Sequence, residues 1–225
     1  MLKNTDLEKI KEIAYFLLEL DITETEIPFL ITHPIFENNP TYSNGDWLDL
    51  NNVSQRKRAT KEMKCRIKEQ NLMGVFLIIR KPYRMVFLKL AKEYMSTRDF
   101  SKLWAEAWVM SENPNDDVNV SLKESVDFFK EANKLYLMEK EELEVFETIP
   151  KEIVLYRGVA KGRNPKGLSW TSDYEKAKWF SNRFHKGEGY IQKAIVNKKY
   201  VLAYFSRRDE EEYVCETDKL IVKKI

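Results

Sequence analysis

The chain has 225 residues and a net charge of +2, and 43% of its residues are hydrophobic, 33% charged and 12% aromatic. This balance excludes a disordered chain, a collagen-like repeat and a glycine-rich barrel, and the length suits one large domain or two small ones. No apolar run reaches the ~18 residues of a membrane-spanning helix, and the polar first residues predict no signal peptide, so we expect no membrane partner.

The sequence pattern predicts helices over most of residues 1–150. Thr5-x-x-Glu8 has the spacing of a capping box, and apolar residues then recur every three or four positions as far as Leu20. A basic helix follows from about Ser54. Its apolar positions are Ala59, Met63 and Ile67, and its basic positions are Lys57, Arg58, Lys61, Lys64 and Lys68.

Residues 23–52 predict a long loop between these two helices. The segment contains three prolines and the turn-like run Ser43-Asn44-Gly45-Asp46. We expect its apolar residues, Trp47 and Leu48 in particular, to anchor the loop to the rest of the protein.

Further helices are predicted up to Pro150, which ends the last of them. Each has a start signal or an apolar stripe at helical spacing. They are a helix from Pro82 through Tyr94, one with Asp99 as N-cap through Trp108, one from the capping box Ser121-x-x-Glu124 through Tyr136, and an acidic helix over residues 140–147.

The hydrophobic period changes from helix to strand after residue 150. Short apolar runs bounded by turn residues are typical of buried strands. One helix interrupts them, from Tyr174 to about Phe184, with Ser172 or Asp173 as its cap. The predicted strands cover residues 153–156, 167–171, 190–196, 200–205, 213–215 and 220–225.

The sequence therefore predicts an α+β fold. A helical region over residues 1–150 packs on a compact mixed β core over residues 151–225. No internal repeat or low-complexity tract suggests another organisation.

Several common chemistries have no motif in this chain. The sequence contains no GxxxxGK[ST] phosphate loop, GxGxxG, HExxH or GxSxG pattern. His33 and His185 lie far apart and without nearby cysteines, so we predict no metal site and interpret both as loop or surface residues. Cys65 and Cys215 form no CxxC pair, which favours free thiols in a cytosolic protein.

The charge is distributed unevenly along the chain. Residues 151–225 contain 17 Lys and Arg against 10 Asp and Glu, whereas residues 1–150 contain 21 against 26. A basic C-terminal third favours an anionic ligand or partner, such as a dinucleotide, a nucleic acid or an acidic protein surface. A solvated surface with scattered lysines is the alternative.

Three motifs occur in order along the predicted β core. Tyr156-Arg157-Gly158 ends its first strand, and Ser169-Trp170-Thr171-Ser172 ends its second, just before the helix. The charged run over residues 208–212, with three consecutive glutamates, leads into a late strand.

These motifs resemble those of the arginine–serine–glutamate class of mono-ADP-ribosyltransferases, the clostridial-exoenzyme type. That class has an aromatic-Arg-Gly strand, a Ser-Thr-Ser strand before a helix, and a (Glu/Gln)-x-Glu turn into a strand. The resemblance covers about 75 residues, and the chain is also similar to ADP-ribosyltransferase-like proteins of phages and prophages. Trp170 stands where the first serine of Ser-Thr-Ser falls, and Ser169, one place earlier, is expected on the other face of the strand.

The resemblance implies NAD as cofactor and a catalytic role for Glu212, Glu210 and Ser172. Glu212 is expected to stabilise the positive charge that develops on the ribose as the nicotinamide bond breaks. Glu210 is expected to orient and deprotonate the acceptor, and the Glu-x-Glu form goes with arginine acceptors. Ser172, or Ser169, is expected to position Glu212, while Glu211 between the two glutamates is expected to point away.

The resemblance also implies a set of NAD-binding residues. Arg157 is expected to hold a phosphate by a forked, charge-assisted contact, and Gly158 to let the backbone approach the nicotinamide amide. Tyr156, Ser169 and Thr171 complete this set.

The function expected from these motifs is NAD-dependent mono-ADP-ribosyl transfer, with a protein as the target. The expected location is the cytoplasm, which is that of the bacterial host if the protein is phage-encoded. A non-catalytic protein of the same fold is the main alternative, acting as a binding or inhibitory partner, for example against a host defence component. Nucleic-acid binding or modification through the basic C-terminal region is a weaker one.

Overall fold

A computed structural model describes residues 3–183, 187–207 and 210–225. It contains helices and small antiparallel sheets, and the predicted α+β class is confirmed. The chain divides into two compact units, Met1–Leu103 and Trp104–Ile225. The change from helices to strands along the sequence falls later, at residue 150. Within the described ranges, no helix is both long and apolar enough to cross a membrane.

The first unit is mainly helical and has two small two-stranded sheets. Its elements are α1 Leu7–Leu18, β1 Thr23–Glu24, β2 Ile31–Thr32, β3 Thr41–Ser43, β4 Asp46–Leu48, α2 Val53–Lys68, α3 Leu72–Ile78, α4 Arg84–Ala91 and the beginning of α5 Thr97–Met110. β1 pairs with β2 and β3 with β4, both antiparallel.

The N-terminal caps of α1 and α5 differ from those predicted. Asp6 is the N-cap of α1, and its carboxylate accepts the backbone N–H of Lys9 at 3.2 Å. The Thr5 hydroxyl donates instead to the Asp99 carboxylate at 2.5 Å. Asp99 lies inside α5, and the Ser96 hydroxyl accepts its backbone N–H at 3.1 Å. Both cap predictions are wrong because a tertiary hydrogen bond engages Thr5 and Asp99.

Residues 23–52 form β1–β4, where the sequence predicts a loop. The predicted turn is confirmed, since Asn44 and Gly45 have φ values of 46° and 90° and join β3 to β4 as in a tight hairpin. Leu48 is buried and anchors the hairpin, as expected. Trp47 does not, because neighbouring residues of a strand face opposite sides; it is 67% exposed.

The basic helix is confirmed as α2, which buries Ala59 and Ile67. The apolar run that follows it forms α3, a helix additional to those predicted. Asn71 caps α3 by accepting the backbone N–H of Gly74 at 2.9 Å. Pro82 lies in a 3-10 turn that leads directly into α4.

His33 lies in a loop, as expected, but is buried. Its Nδ1 accepts the backbone N–H groups of Ile35 and Phe36, each at 3.0 Å. Burial lowers the pKa of His33 to about 4, so the ring is neutral at physiological pH and stabilises a turn. His185, like Phe184, lies outside the described residues.

In its described residues, the second unit contains two three-stranded antiparallel sheets, with strand orders β10-β7-β5 and β6-β9-β8. Its elements after α5 are α6 Leu122–Glu131, α7 Lys134–Leu137, α8 Lys140–Thr148, β5 Glu152–Val159, β6 Ser169–Trp170, α9 Tyr174–Asn182, β7 Tyr190–Asn197, β8 Val201–Phe205, β9 Glu212–Cys215 and β10 Val222–Lys224. The six predicted strands are all present, with ends that differ by up to three residues.

The capping box of Ser121 and Glu124 is confirmed at the start of α6. The predicted helix through Tyr136 is interrupted, because Ala132 is extended and the Asn133 side chain begins α7 by accepting the backbone N–H of Leu135. α8 has the predicted bounds to within one residue, and Asp173 is the N-cap of α9.

Close contacts join the two sheets to each other and α9 to β5. The backbones of Tyr156 and Thr171 exchange two hydrogen bonds of 2.8 Å, which link β5 of one sheet to the end of β6 in the other. α9 packs so closely on β5 at Gly158 that a Cβ there would lie 1.9 Å from the carbonyl oxygen of Ala177. Only glycine fits this position.

Replacing Gly158 with alanine is therefore expected to destabilise the protein by about 1–3 kcal/mol through overpacking. Gly74→Ala is the matched control, since the atoms nearest to its added methyl group belong to the Gln70 side chain and alanine favours a helix. Urea denaturation followed by circular dichroism measures both variants. Equal stability of the Gly158→Ala variant and the unmodified protein would contradict the close packing.

Candidate active site

One cleft of the second unit collects most of the predicted site residues. Its walls come from the end of α5 and the loop after it, from β5, β6 and α9, and from the segment before β9. Seven of the eight predicted residues line it: Tyr156, Arg157, Gly158, Ser169, Thr171, Glu210 and Glu212. Ser172 is not among the lining residues.

Glu212, the first residue of β9, places its carboxylate between two hydrogen-bond donors. The indole Nε1 of Trp108 donates to its Oε1 at 3.0 Å, and the Ser169 hydroxyl is a second partner. Burial raises the pKa of Glu212, while the hydrogen bonds from Ser169 and Trp108 oppose this shift. The donors thus stabilise a carboxylate that has lost much of its hydration.

Ser169 faces Glu212 because of the register of β6. Trp170, the next residue, points to the opposite side, where it is buried and donates its Nε1 to the Thr217 hydroxyl at 3.0 Å. The Asn115 side chain donates its Nδ2 to Ser169 Oγ at 2.8 Å and accepts the backbone N–H of Leu168. Ser169 was expected on the face of β6 that points away from the motif, but this face is the one beside Glu212.

Arg157, on β5, is a buried cation beside the cleft. Its Nη1 donates to the backbone carbonyl of Ser169 at 2.8 Å, and its Nη2 donates to that of Asn164 at 3.0 Å. Burial lowers the pKa of Arg157 to about 10, which leaves it charged at neutral pH. A Cβ at Gly167 would lie 2.0 Å from Nη2, so any larger residue there would displace the guanidinium.

One nitrogen of this guanidinium has no partner in the described part of the chain. Arg157 Nε is buried and makes no hydrogen bond. A buried, unsatisfied donor on a cation is unfavourable, and an anionic group of a ligand would satisfy it. Asp116 and Glu212 are the carboxylates that most favour the charged form of Arg157.

Glu210 and Glu211 also line the cleft. Strand alternation predicts that Glu211 points away from the cleft, but Glu211 is among the lining residues, and its Oε2 accepts a hydrogen bond from the Ser172 hydroxyl at 3.1 Å. Ser172 is therefore bonded to the middle glutamate, and Ser169 is the serine at Glu212. Arg208 and Asp209, which begin the charged run, lie outside the described residues.

Gly158 and Thr171 line the cleft at the junctions that hold it together. Gly158 lets α9 approach β5, and Thr171 forms the backbone bridge with Tyr156. The Tyr156 ring packs edge to face on that of Tyr174, with 5.5 Å between the ring centroids. These positions thus have structural reasons for their residue types in addition to the NAD contacts that the resemblance implies.

No sequence motif marks the part of the cleft that the α5–α6 segment contributes. Trp108 and Asn115 hold Glu212 and Ser169, yet neither stands in a motif that predicts a polar role. Trp108 is one of the residues of the apolar stripe of α5, and Asn115 belongs to a Pro-Asn-Asp turn. Other lining residues outside the predicted set are Asp116, Arg163, Lys176, Trp179, Arg183 and Arg207.

Arg207 is held by carboxylates of the same unit. It forms ion pairs with Glu106 of α5, with Glu139, and with the buried Glu142 of α8 at 3.3 Å. This network fixes the end of β8 against the two helices and places a compensated cation at the cleft wall.

Comparisons with protein-family models, with curated proteins and with solved structures found no match to this chain. The assignment of a function therefore depends on the residues of the cleft and on the motif resemblance.

The raised pKa of Glu212 predicts a pH-dependent stability effect. The folded protein binds the Glu212 proton more tightly than the unfolded chain does, so this residue's contribution to stability falls as pH rises above the ordinary value of 4.5. Glutamine carries no charge at any pH. We expect Glu212→Gln to raise the melting temperature at pH 7, and the gain to shrink towards pH 4.

Differential scanning calorimetry at both pH values tests this expectation. Glu141→Gln, at an exposed glutamate of α8, is the control for removing one surface charge. A Glu212→Gln variant that is less stable than the unmodified protein at pH 7, or equally shifted at pH 4 and pH 7, contradicts the prediction.

Proposed function

We propose that this protein is an NAD-dependent mono-ADP-ribosyltransferase. The supporting observation is the convergence of Arg157, Ser169 and Glu212, from three strands of two sheets, on one cleft. In the motif resemblance Arg157 is the cation and Glu212 the carboxylate of a single site, and Ser169 is the alternative to Ser172 as its hydroxyl.

The donor set of the cleft fits a dinucleotide. Arg157 retains an unpartnered Nε, which suits a charge-assisted contact with a pyrophosphate oxygen. Its two bonded η nitrogens fix the orientation of the guanidinium, so little side-chain entropy remains to be lost on binding.

NAD would supply the ADP-ribosyl group, whose bond to nicotinamide breaks with the electron pair leaving on the nicotinamide. The ribose carbon gains positive charge as this happens, and the carboxylate of Glu212 stabilises that charge. Trp108 and Ser169 hold the carboxylate in place beforehand. Glu210 accepts the proton that the acceptor nitrogen loses as it bonds to the ribose carbon.

The resemblance implies the acceptor class, because the Glu-x-Glu form seen in Glu210 and Glu212 goes, in that class, with an arginine side chain of a protein target. A second candidate is a non-catalytic protein with the same cleft. It is favoured by the hydrogen bonds from Arg157 to two backbone carbonyls, since a purely structural arginine would make the same contacts.

Glu212→Gln separates catalysis from binding. A carboxylate that stabilises charge only in the transition state contributes little to ground-state affinity. We expect NAD hydrolysis and transfer to fall by about two orders of magnitude or more, with NAD affinity changed less than several-fold. Turnover of labelled NAD and isothermal calorimetry measure the two quantities.

Glu141→Gln again provides the control, with unchanged turnover expected. Absence of NAD binding by the unmodified protein would refute the proposal. Binding of NAD without hydrolysis, in the presence of a cell lysate as a source of acceptors, would support the non-catalytic candidate instead.

The two serines make a further prediction about the site. Because Ser169 is the hydroxyl partner of Glu212 and Ser172 is bonded to Glu211, Ser169→Ala should reduce turnover about 10-fold or more, on the scale of one lost charge-assisted hydrogen bond. Ser172→Ala removes the same atom and should have a smaller effect. The reverse order of the two effects would show that Ser172 positions the catalytic carboxylate.

A further inference from the structure

Helix α2 of the first unit carries a strongly basic surface. Its 16 residues include seven lysines and arginines and one glutamate. Lys57, Lys61, Lys64 and Lys68 follow one another at intervals of four, three and four, which places them in a row along one face of a helix. The row, here called the lysine row, extends about 16 Å along the helix axis.

Most of the lysine row is free of anionic partners. All four side chains are exposed, and Lys64 forms an ion pair with Glu19. For Lys57, Lys61 and Lys68, the described ranges of the chain contain no carboxylate within ion-pair distance. Like charges in adjacent turns repel one another, and a bound polyanion would relieve this repulsion.

An exposed aromatic pair lies on the hairpin that packs against the same helix. Tyr42 of β3 and Trp47 of β4 are 61% and 67% exposed, and their rings meet edge to face with centroids 5.2 Å apart. Asp46, next to Trp47, forms an ion pair at 2.7 Å with Arg58, which is next to Lys57. The hairpin is therefore fixed to the face of α2 that adjoins the lysine row, since neighbouring residues of a helix lie about 100° apart around its axis.

We propose that this surface of the first unit binds single-stranded nucleic acid. Phosphate groups contact the lysine row, and unpaired bases stack on the exposed indole and phenol rings. Rows of cations beside exposed aromatic rings are the features that bind single strands without sequence preference. Lysine, which acts as a point charge, suits phosphates better than base edges.

A lipid surface fits the same charges less well. Helices that lie in a membrane interface insert an apolar face between the lipids. The apolar stripe of α2 is already used inside the protein, since Ala59 and Ile67 are buried. The proposal is independent of NAD chemistry and can hold or fail whatever the cleft does.

Binding of fluorescein-labelled 20-nucleotide oligouridylate and oligothymidylate to the full chain tests the proposal. We expect affinity that falls steeply with salt. In 50 mM salt, the triple variant Lys57→Gln, Lys61→Gln, Lys68→Gln should bind about 10-fold more weakly or worse, and its salt slope should decrease by about 2.

A matched triple variant, Lys123→Gln, Lys219→Gln, Lys223→Gln, removes the same charge from exposed lysines of the second unit. It should bind like the unmodified protein. An equal loss in both variants would overturn the proposal, because binding would then follow net charge. No binding by the unmodified protein, or binding only to vesicles that contain phosphatidylserine, would overturn it as well.

Trp47 gives an independent test of base stacking. Trp47→Leu should weaken binding of the single strand about 5-fold or more and leave the salt slope unchanged, whereas Trp47→Phe should retain part of the affinity. A preference for duplex DNA of the same length, or no difference between the two substitutions and the unmodified protein, contradicts stacking on this ring.

Discussion

The two backbone hydrogen bonds between Tyr156 and Thr171 are the junction on which the second unit depends. They fix β5, which carries Arg157, next to the end of β6, which carries Ser169. β6 pairs in turn with β9, where Glu212 is the first residue. Three side chains that are distant in the sequence thus reach one cleft through main-chain geometry. Because backbone pairing leaves each strand one register, the positions of these side chains are rigidly specified.

Neutral groups hold the opposite charges of Glu212 and Arg157 in the cleft. An indole and a hydroxyl act on Glu212, and two main-chain carbonyls act on Arg157. An ion pair between Glu212 and Arg157 would satisfy both charges, and neither group would then be available to contact a ligand. Neutral partners keep a carboxylate and a guanidinium available in the same poorly hydrated space, at some expense of folding stability.

Local sequence patterns predicted the helices, strands and turns better than they predicted the residues that support the candidate active site. The capping box of Ser121 and the turn at Asn44 are encoded by residues three positions apart or fewer, so the sequence alone specifies them. The Thr5 hydroxyl bonds to a residue 94 positions away, and no local pattern reports such a partner. The same holds for Trp108, whose indole contacts Glu212 across 104 positions. The motif residues were identifiable because short stretches carry them, whereas their supporting groups were not.

The separation between motif and support has a consequence for dissecting this protein. Each residue of the recognisable pattern lies after position 150, yet Trp108 and Asn115 lie before it. A fragment cut at the change from helices to strands would retain the full signature and lose the donor to Glu212 and the amide that fixes Ser169. The smallest fragment that contains the whole site is therefore longer than the stretch that carries the motifs. It also includes the end of α5 and the turn that follows.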